Sequence, residues 1–338
     1  MIIHSVAPIR ICDNGGWTDT WFARHGAIFN IAVYPFASVQ LRTRPLSGPQ
    51  ITIYAENYGE TYSLDPPNGN YDKHPLLEAA FDYMRLPDDV AIDVSIHCDA
   101  PAGCSTGTSA AVSVALVGAL DHLAGGRMSP ADVAAAAQRI ETELLGRQCG
   151  IQDQLACALG GINYIEMPEY PRAHVQSLTI PDPLWWELEG RLSLVYVGDS
   201  HSSSDVHELV IANLSPDSPK LAPLRETAPA SRDALLAGDF AALGKAMAAS
   251  TEAQRGLHPE LVGAHHQRII NIAREAGAIG WKVNGAGGTG GSVTLLSGAD
   301  RAAKRAMLRT VEQENPRYRH IPIHLARRGL RRWESVGE

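Results

Sequence analysis

From Asp99 to Ala111 the chain reads DAPAGCSTGTSAA, a run of small and hydroxyl-bearing residues. Gly103, Ser105, Thr106, Gly107, Thr108 and Ser109 carry little bulk, so their backbone N–H groups can approach a ligand closely. At the start of a helix, where N–H groups lack partners and the dipole is positive, such a loop suits an anion such as phosphate. Two other uses compete. Gly103-Cys104-Ser105-Thr106-Gly107 matches the G-x-S-x-G pattern of a nucleophilic serine on a strand–helix elbow. The same run also serves as an ordinary turn closed by a helix cap at Thr108 or Ser109. A Walker loop is excluded, because no Lys precedes Thr108 or Ser109. The loop alone does not choose among these.

Three more stretches carry candidate chemistry. Asp13-Asn14-Gly15-Gly16-Trp17-Thr18-Asp19-Thr20 is turn-rich; Asn14 and Asp19 could bind sugar hydroxyls while Trp17 lines the pocket. Cys149-Gly150-Ile151-Gln152-Asp153-Gln154 is a glycine turn opening an apolar helix, and Asp153 in a first turn is ordinarily a dipole partner. Upstream, Glu141 and Glu143 stand two apart, so at most one faces a given site. Gly285-Ala286-Gly287-Gly288-Thr289-Gly290-Gly291 holds more glycine than a hairpin needs, which implies close backbone approach.

The elements that would position these residues can be read from periodicity. Alternation predicts strands over 2–8, 27–43, 51–54, 60–64 and 90–97. Helical spacing predicts helices over 74–85 and 110–123. Ser129-Pro130-Ala131-Asp132 reads as a helix start, with Ser129 as N-cap and Pro130 in the first turn; that helix should continue through 134–146. Another short helix (155–159) leads to a strand at 162–167. The Pro-rich residues 168–183 are the best candidate for a domain boundary. Beyond them come a strand at 191–197, helices near 220–237, 239–254 and 259–276, strands at 278–283 and 292–296, a helix at 299–313 and a strand at 319–325.

With 338 residues, 45% of them hydrophobic, the chain can build two domains that share a cleft. Its net charge of −8 argues against a nucleic-acid partner. Five scattered cysteines, odd in number, predict reduced buried thiols. No signal pattern opens the sequence and no apolar run approaches the roughly 18 residues of a membrane span, so a cytoplasmic protein without a membrane partner is expected.

Taken together the motifs resemble those of the GHMP kinase superfamily. Ala7-Pro8-Ile9-Arg10 with Gly15-Gly16-Trp17-Thr18-Asp19 is similar to its first motif, residues 101–111 to its phosphate loop, and Asn284-Gly285-Ala286-Gly287-Gly288 to its C-terminal glycine motif. Gln152-Asp153-Gln154 is similar to the segment with the catalytic Asp of the sugar kinases. Two departures stand out: S-T-G-T-S-A replaces the usual G-L-G-S-S-A, and Gly16-Trp17 replaces the Glu-His of galactokinases, which argues against galactose. The sugar 1-kinase branch is the nearest. The Gly-Gly-x-Thr-Asp pattern over residues 15–19, Gln152-Asp153-Gln154, Gly161 to Glu166, and Gly198 through residues 202–204 are most like D-glycero-D-manno-heptose 7-phosphate kinases, and the full string Gly15-Gly16-Trp17-Thr18-Asp19-Thr20 is like L-fucokinases.

The resemblance implies an α+β fold of two domains. Residues 1–183 would form the ATP-binding N-terminal domain, like ribosomal protein S5 domain 2, and 184–338 a ferredoxin-like C-terminal domain. It implies transfer of a phosphoryl group from ATP to the C1 hydroxyl of a sugar or sugar phosphate, D-glycero-D-manno-heptose 7-phosphate first. A neutral-sugar 1-kinase of the L-fucose or galactose type and a catalytically silent sugar sensor are the alternatives. Asp153 would receive the hydroxyl proton, with Arg10 beside it bridging toward the γ-phosphate. Gly103, Ser105, Thr106, Gly107, Thr108 and Ser109 would hold ATP. Ser109 and Glu141, the latter twelve residues before Asp153, would hold Mg²⁺. Asn14, Gly16, Trp17, Asp19, Gly287 and Gly288 would meet the sugar, and residues 201–204 either cap a helix or contact a distal phosphate. A homodimer stays open.

Overall fold

The computed structural model describes residues 1–64, 69–87, 89–198, 206, 208, 210–212, 214–215 and 218–335. Residues 201–204, for which a cap or a phosphate contact is expected, lie outside them.

Two strands make the spine of the first sheet: β1 (Ile2–Asn14) and β2 (Gly26–Arg44), paired antiparallel. β2 is long enough to take different partners along its length. Its second half pairs with β5 (Ala91–Cys98) and its first half with β6 (Ile162–Glu169), both antiparallel. β3 (Ile51–Ala55) joins β5 in parallel, and β4 (Glu60–Leu64) closes that edge. Helix α2 (Thr108–Leu123) is apolar on almost all sides, the mark of a helix with no solvent face. It packs on β1 and β2 and is flanked by α1 (Pro75–Met84), α3 (Pro130–Arg139) and α4 (Gln152–Leu159). Ser129 and Asp132 cap α3 reciprocally, as the local sequence predicts.

Residues 168–183 are not a bare connector. They complete β6, turn at Pro171 into β7 (Arg172–Ser177) and lead into α5 (Asp182–Arg191). The second sheet is antiparallel in the order β11-β8-β10-β9: β8 (Leu192–Tyr196), β9 (Ala278–Val283), β10 (Ser292–Ser297) and β11 (Arg319–Ile321). Counting only these strands, their spatial order is fourth, first, third, second, the order of the expected ferredoxin-like sandwich. Between β8 and β9 run α6 (Ala222–Leu236), α7 (Phe240–Leu257) and α8 (Ala264–Glu275); α9 (Arg301–Glu314) precedes β11. Helix α6 lies on β2 and α7 on β9, so this pair joins the two sheets.

The last residues cross back. β12 (His324–Leu325) pairs with β2, and β13 (Arg331–Ser335) with the start of β1. β13 has no sequence signature, since RRWES is a charged edge strand. The single strand expected over 319–325 is in fact split between the two sheets. The crossing is packed backbone on backbone. Gly160, at the end of α4 with φ 71°, would bring a Cβ within 2.2 Å of the Gly329 nitrogen. Gly160→Ala is therefore expected to destabilise the protein by about 2–4 kcal/mol in denaturant unfolding; a change under about 0.5 kcal/mol would mean that the returning segment is free to move.

Candidate active site

Pairing of β1 with β2 slips between Pro8 and Ile9 and again between Ile11 and Asn14, and Cys12 adopts φ 57°. Such irregularities re-aim side chains. Arg10, between the two slips, reaches the floor of a cleft of about 470 Å³ between the sheets. Although only 3% exposed, it is fully engaged. Nε and Nη2 donate to Asp153 Oδ1 and Oδ2 at 2.8 and 3.1 Å, and Nη1 donates to the Ser105 carbonyl at 2.6 Å. Burial opposes the guanidinium charge, but Asp153 and then Asp13 outweigh it and hold the pKa above its ordinary value. Asp153 sits in the first turn of α4 with its side chain 29% exposed, open to a ligand.

Residues 99–107 connect β5 to α2. Gly103, Ser105 and Gly107 have φ of 70°, 58° and 70°, a left-handed residue at every second position. The cap differs from expectation: Gly107 is the N-cap, no side chain caps the helix, and Thr108 and Ser109 are its first residues. The N–H groups of the first turn thus face the cleft without side-chain competition, an anion cradle by construction. Gly107 suits its left-handed φ of 70°, and a Cβ there would also crowd the pair, at 3.3 Å from Asp153 Oδ2 and 3.4 Å from Arg10 Cγ. Among the described residues no histidine lines the cleft, so Ser105 lacks the base that a serine elbow requires.

Two further carboxylates face this space. Asp19 Oδ2 accepts the N–H groups of Ile151 and Gln152, each at 3.1 Å, which ties the first motif to the Asp153 segment. Burial, with the nearby Asp153 charge, pushes Asp19 up to about 6. After α3 the chain widens into a π-helical turn, Ile140–Leu144, a distortion common at functional sites. It leaves Glu141 buried in the cleft wall and Glu143 exposed. Glu141 accepts from Gln154 Nε2 at 2.9 Å, and burial raises its pKa to about 7. Gln152 Oε1 and Gln154 Oε1 are buried acceptors without a hydrogen-bond partner among the described residues, so both can take donors from a ligand. Among the described residues no cluster of three His, Cys, Asp or Glu forms a metal cage. The combination of Glu141 with the Ser109 hydroxyl instead suits Mg²⁺, which keeps waters and leans on substrate phosphates.

Four expected acceptor contacts do not reach the cleft. Asn14 turns its amide to Ser231 Oγ at 2.7 Å, and the Gly16 N–H closes onto the Asp13 carbonyl at 3.0 Å. Gly287 and Gly288 pack under Leu261, whose carbonyl accepts the Gly288 N–H at 3.3 Å. Gly285 and Ala286 line the cleft in their place. Trp17, held at φ 78°, lines it as expected and also borders a small apolar recess with Trp21, Phe22 and Ile211. Two features have no signal in local spacing. One is a pocket of about 330 Å³ that opens beside the loop, sharing Gly103, Thr108, Ser109 and Arg147 with the cleft and walled by Tyr58, His74 and Val112. The other is Asp13, which accepts the Gly285 N–H at 2.9 Å and faces the buried Lys282.

The raised pKa of Asp19 has a stability consequence. The fold favours its neutral form, so its contribution is full below about pH 4 and is lost as pH rises through about 6. Asp19→Asn is expected to exceed the parent in stability by on the order of 2 kcal/mol at pH 8, the gap closing toward pH 4 in unfolding titrations. A gap independent of pH would exclude this cause.

Two family models match the chain: the GHMP kinases N terminal domain over residues 75–161 and the GHMP kinases C terminal region over residues 231–313. The D-glycero-alpha-D-manno-heptose 7-phosphate kinase of Campylobacter jejuni is 26% identical over 303 residues, 85% of this chain and 87% of that one. The bifunctional fucokinase/GDP-fucose pyrophosphorylase of Arabidopsis thaliana is 27% identical over 87% of this chain, which spans only 30% of that longer protein. A crystal structure of a D-glycero-D-manno-heptose 1-phosphate kinase from Bacteroides thetaiotaomicron superposes with a TM-score of 0.75 at 20% identity, covering 99% of this chain and 100% of that one. At that identity the likeness is one of fold.

Proposed function

This chain belongs to the GHMP kinases, phosphotransferases with an alcohol acceptor, and we propose that it moves the γ-phosphoryl group of ATP to the anomeric C1 hydroxyl of a sugar. The observation that carries the proposal is the bidentate Arg10–Asp153 pair set against the uncapped start of α2. A base and a cation therefore face an anion cradle across the width of one glycine.

Phosphoryl transfer passes through a loose transition state, so catalysis is mostly positioning and charge stabilisation. ATP would lay its phosphates along the N–H groups of residues 103–108, with its base in the pocket of Tyr58 and His74. Bound Mg²⁺, held by Ser109 and Glu141, would neutralise phosphate charge. Asp153 accepts the hydrogen bond of the C1 hydroxyl and takes its proton as the new O–P bond forms and the bond from the γ-phosphorus to the bridging oxygen breaks, releasing ADP. Arg10 keeps that carboxylate oriented and presents positive charge to the transferring group. Asp19 binds sugar hydroxyls, and Trp17 supplies a flat apolar wall.

Two acceptors fit. Similarity over nearly the whole of both chains to the Campylobacter jejuni enzyme supports D-glycero-D-manno-heptose 7-phosphate. A neutral sugar of the L-fucose type is favoured by a separate observation. Among the described residues the cations lining the cleft are Arg10 and Arg147, and the recess beyond Trp17 is apolar, suiting a methyl group better than a phosphate.

ADP release from Mg-ATP is the direct test, against heptose 7-phosphate, sedoheptulose 7-phosphate, mannose 6-phosphate, L-fucose, galactose and mevalonate. Turnover confined to phosphorylated sugars supports the heptose acceptor, turnover on L-fucose the neutral one, and none with any of them a silent sensor. Asp153→Ala is expected to lower kcat at least about 10³-fold while changing ATP affinity less than about threefold. Near-parental turnover by this variant would overturn the assignment.

A further inference from the structure

Lys282 is 1% exposed, deep in the second sheet, and has no part in the phosphoryl-transfer chemistry. Its Nζ has three acceptors around it: Gln254 Oε1 at 2.8 Å, the Val283 carbonyl, and Asp13 Oδ1 at 3.5 Å. Gln254 cannot turn its amide the other way, because its Nε2 donates to the Gly285 carbonyl at 3.1 Å. Two hydrogen-bond acceptors and a carboxylate oxygen at ion-pair distance suit a charged ammonium group.

Asp13, 1% exposed, is the group that connects Lys282 to the cleft. Oδ2 accepts the Gly285 N–H, whereas Oδ1 has ion-pair contacts but no hydrogen bond among the described residues. It sits between two cations, 3.5 Å from Lys282 Nζ and 3.9 Å from Arg10 Nη1. A buried carboxylate oxygen in that position moves to whichever cation is left if the other is removed. Arg10 is the group that must not respond, since both its Nε and Nη2 are committed to Asp153.

We propose that Lys282 is a positioning residue: by occupying Asp13 it leaves the guanidinium of Arg10 to Asp153. The effect on phosphoryl transfer rests on the proposed kinase function; the division of Arg10 between two carboxylates does not. Lys282→Met strips Asp13 of its counter-ion, and Asp13 then draws Arg10 off Asp153. Removing the Asp13 charge as well, by Asp13→Asn, ends that competition while keeping an acceptor for Gly285.

The test is a double-mutant cycle with two readouts. K282M is expected to lower kcat by about ten- to 100-fold with KM for ATP changed less than about threefold, and the K282M/D13N double variant to recover most of that loss. If Lys282 acted only by filling space, the double variant would be no better than K282M, and that result overturns the proposal. The second readout needs no substrate: the ¹⁵N NMR signal of the Arg10 Nε–H, bonded to Asp153, should move in K282M and return in the double variant. An unmoved signal overturns the proposal whatever the reaction. A moving signal in a protein that phosphorylates none of the sugars upholds it and sinks only the kinase reading. Should K282M fail to fold, a folded double variant still supports the charge argument, and a double variant that also fails to fold refutes it.

Discussion

The site depends on the need of one buried guanidinium for anions. Arg10 cannot leave its charge uncompensated inside the protein, where an isolated ion costs far more than folding can offset. It finds acceptors on two other segments, the Asp153 carboxylate at the start of α4 and the Ser105 carbonyl in the loop before α2. Satisfying Arg10 therefore brings the first strand, the loop and the start of α4 to one point. The slips in β1 pairing on either side of Arg10 are the backbone's accommodation to that demand.

That accommodation leaves strain in the cleft. Cys12, Trp17 and Ser105 hold positive φ, three of the five described non-glycine residues that do so; Cys12 lies at the slip in β1, and Trp17 and Ser105 lie in loops that line the cleft. Residues in such conformations persist only where the surroundings over-determine them. The carboxylates share the pattern, with Asp19 and Glu141 buried far enough that the fold favours their neutral forms. A ligand that brings hydroxyl donors or a cation would make both anions easier to hold, so binding and ionisation reinforce one another.

What the sequence could reveal was what is local or what is crowded by glycine. The Ser129–Asp132 cap, the helical phase that separates Glu141 from Glu143, and the loop of small residues before α2 are all set within a few positions of chain. The misplaced residues share a different cause. Whether Asn14, Gly16, Gly287 or Gly288 faces the cleft depends on bulges and left-handed turns, and a shift of register by one residue turns every later side chain to the opposite face. The second pocket has walls from separate segments around 55–58, 74–77, 96–103 and 108–112, and Asp13 meets Lys282 from the far end of the chain. Residue type hints at neither. β13 was invisible for a third reason, because a charged edge strand is built to avoid looking like one.

The correction at the glycine cluster changes what the second half of the protein contributes. Its glycines hardly enter the cleft; its polar side chains reach through to hold the first half from behind. Asn284 Oδ1 accepts the Cys12 N–H at 3.1 Å, and the Ser292 hydroxyl donates to the Cys104 carbonyl at 2.7 Å. One bond fixes the strand just past Arg10 and the other fixes the loop before α2 just ahead of Ser105. Asn284 is itself held by Ser292 and Thr294, so strand and loop are clamped by a single satisfied network anchored on β10. The ferredoxin-like layer therefore acts as a template that keeps Arg10 and the loop before α2 in register, and Gly285, where a Cβ would lie 2.8 Å from the Ser105 carbonyl, lets its backbone come close enough to do so.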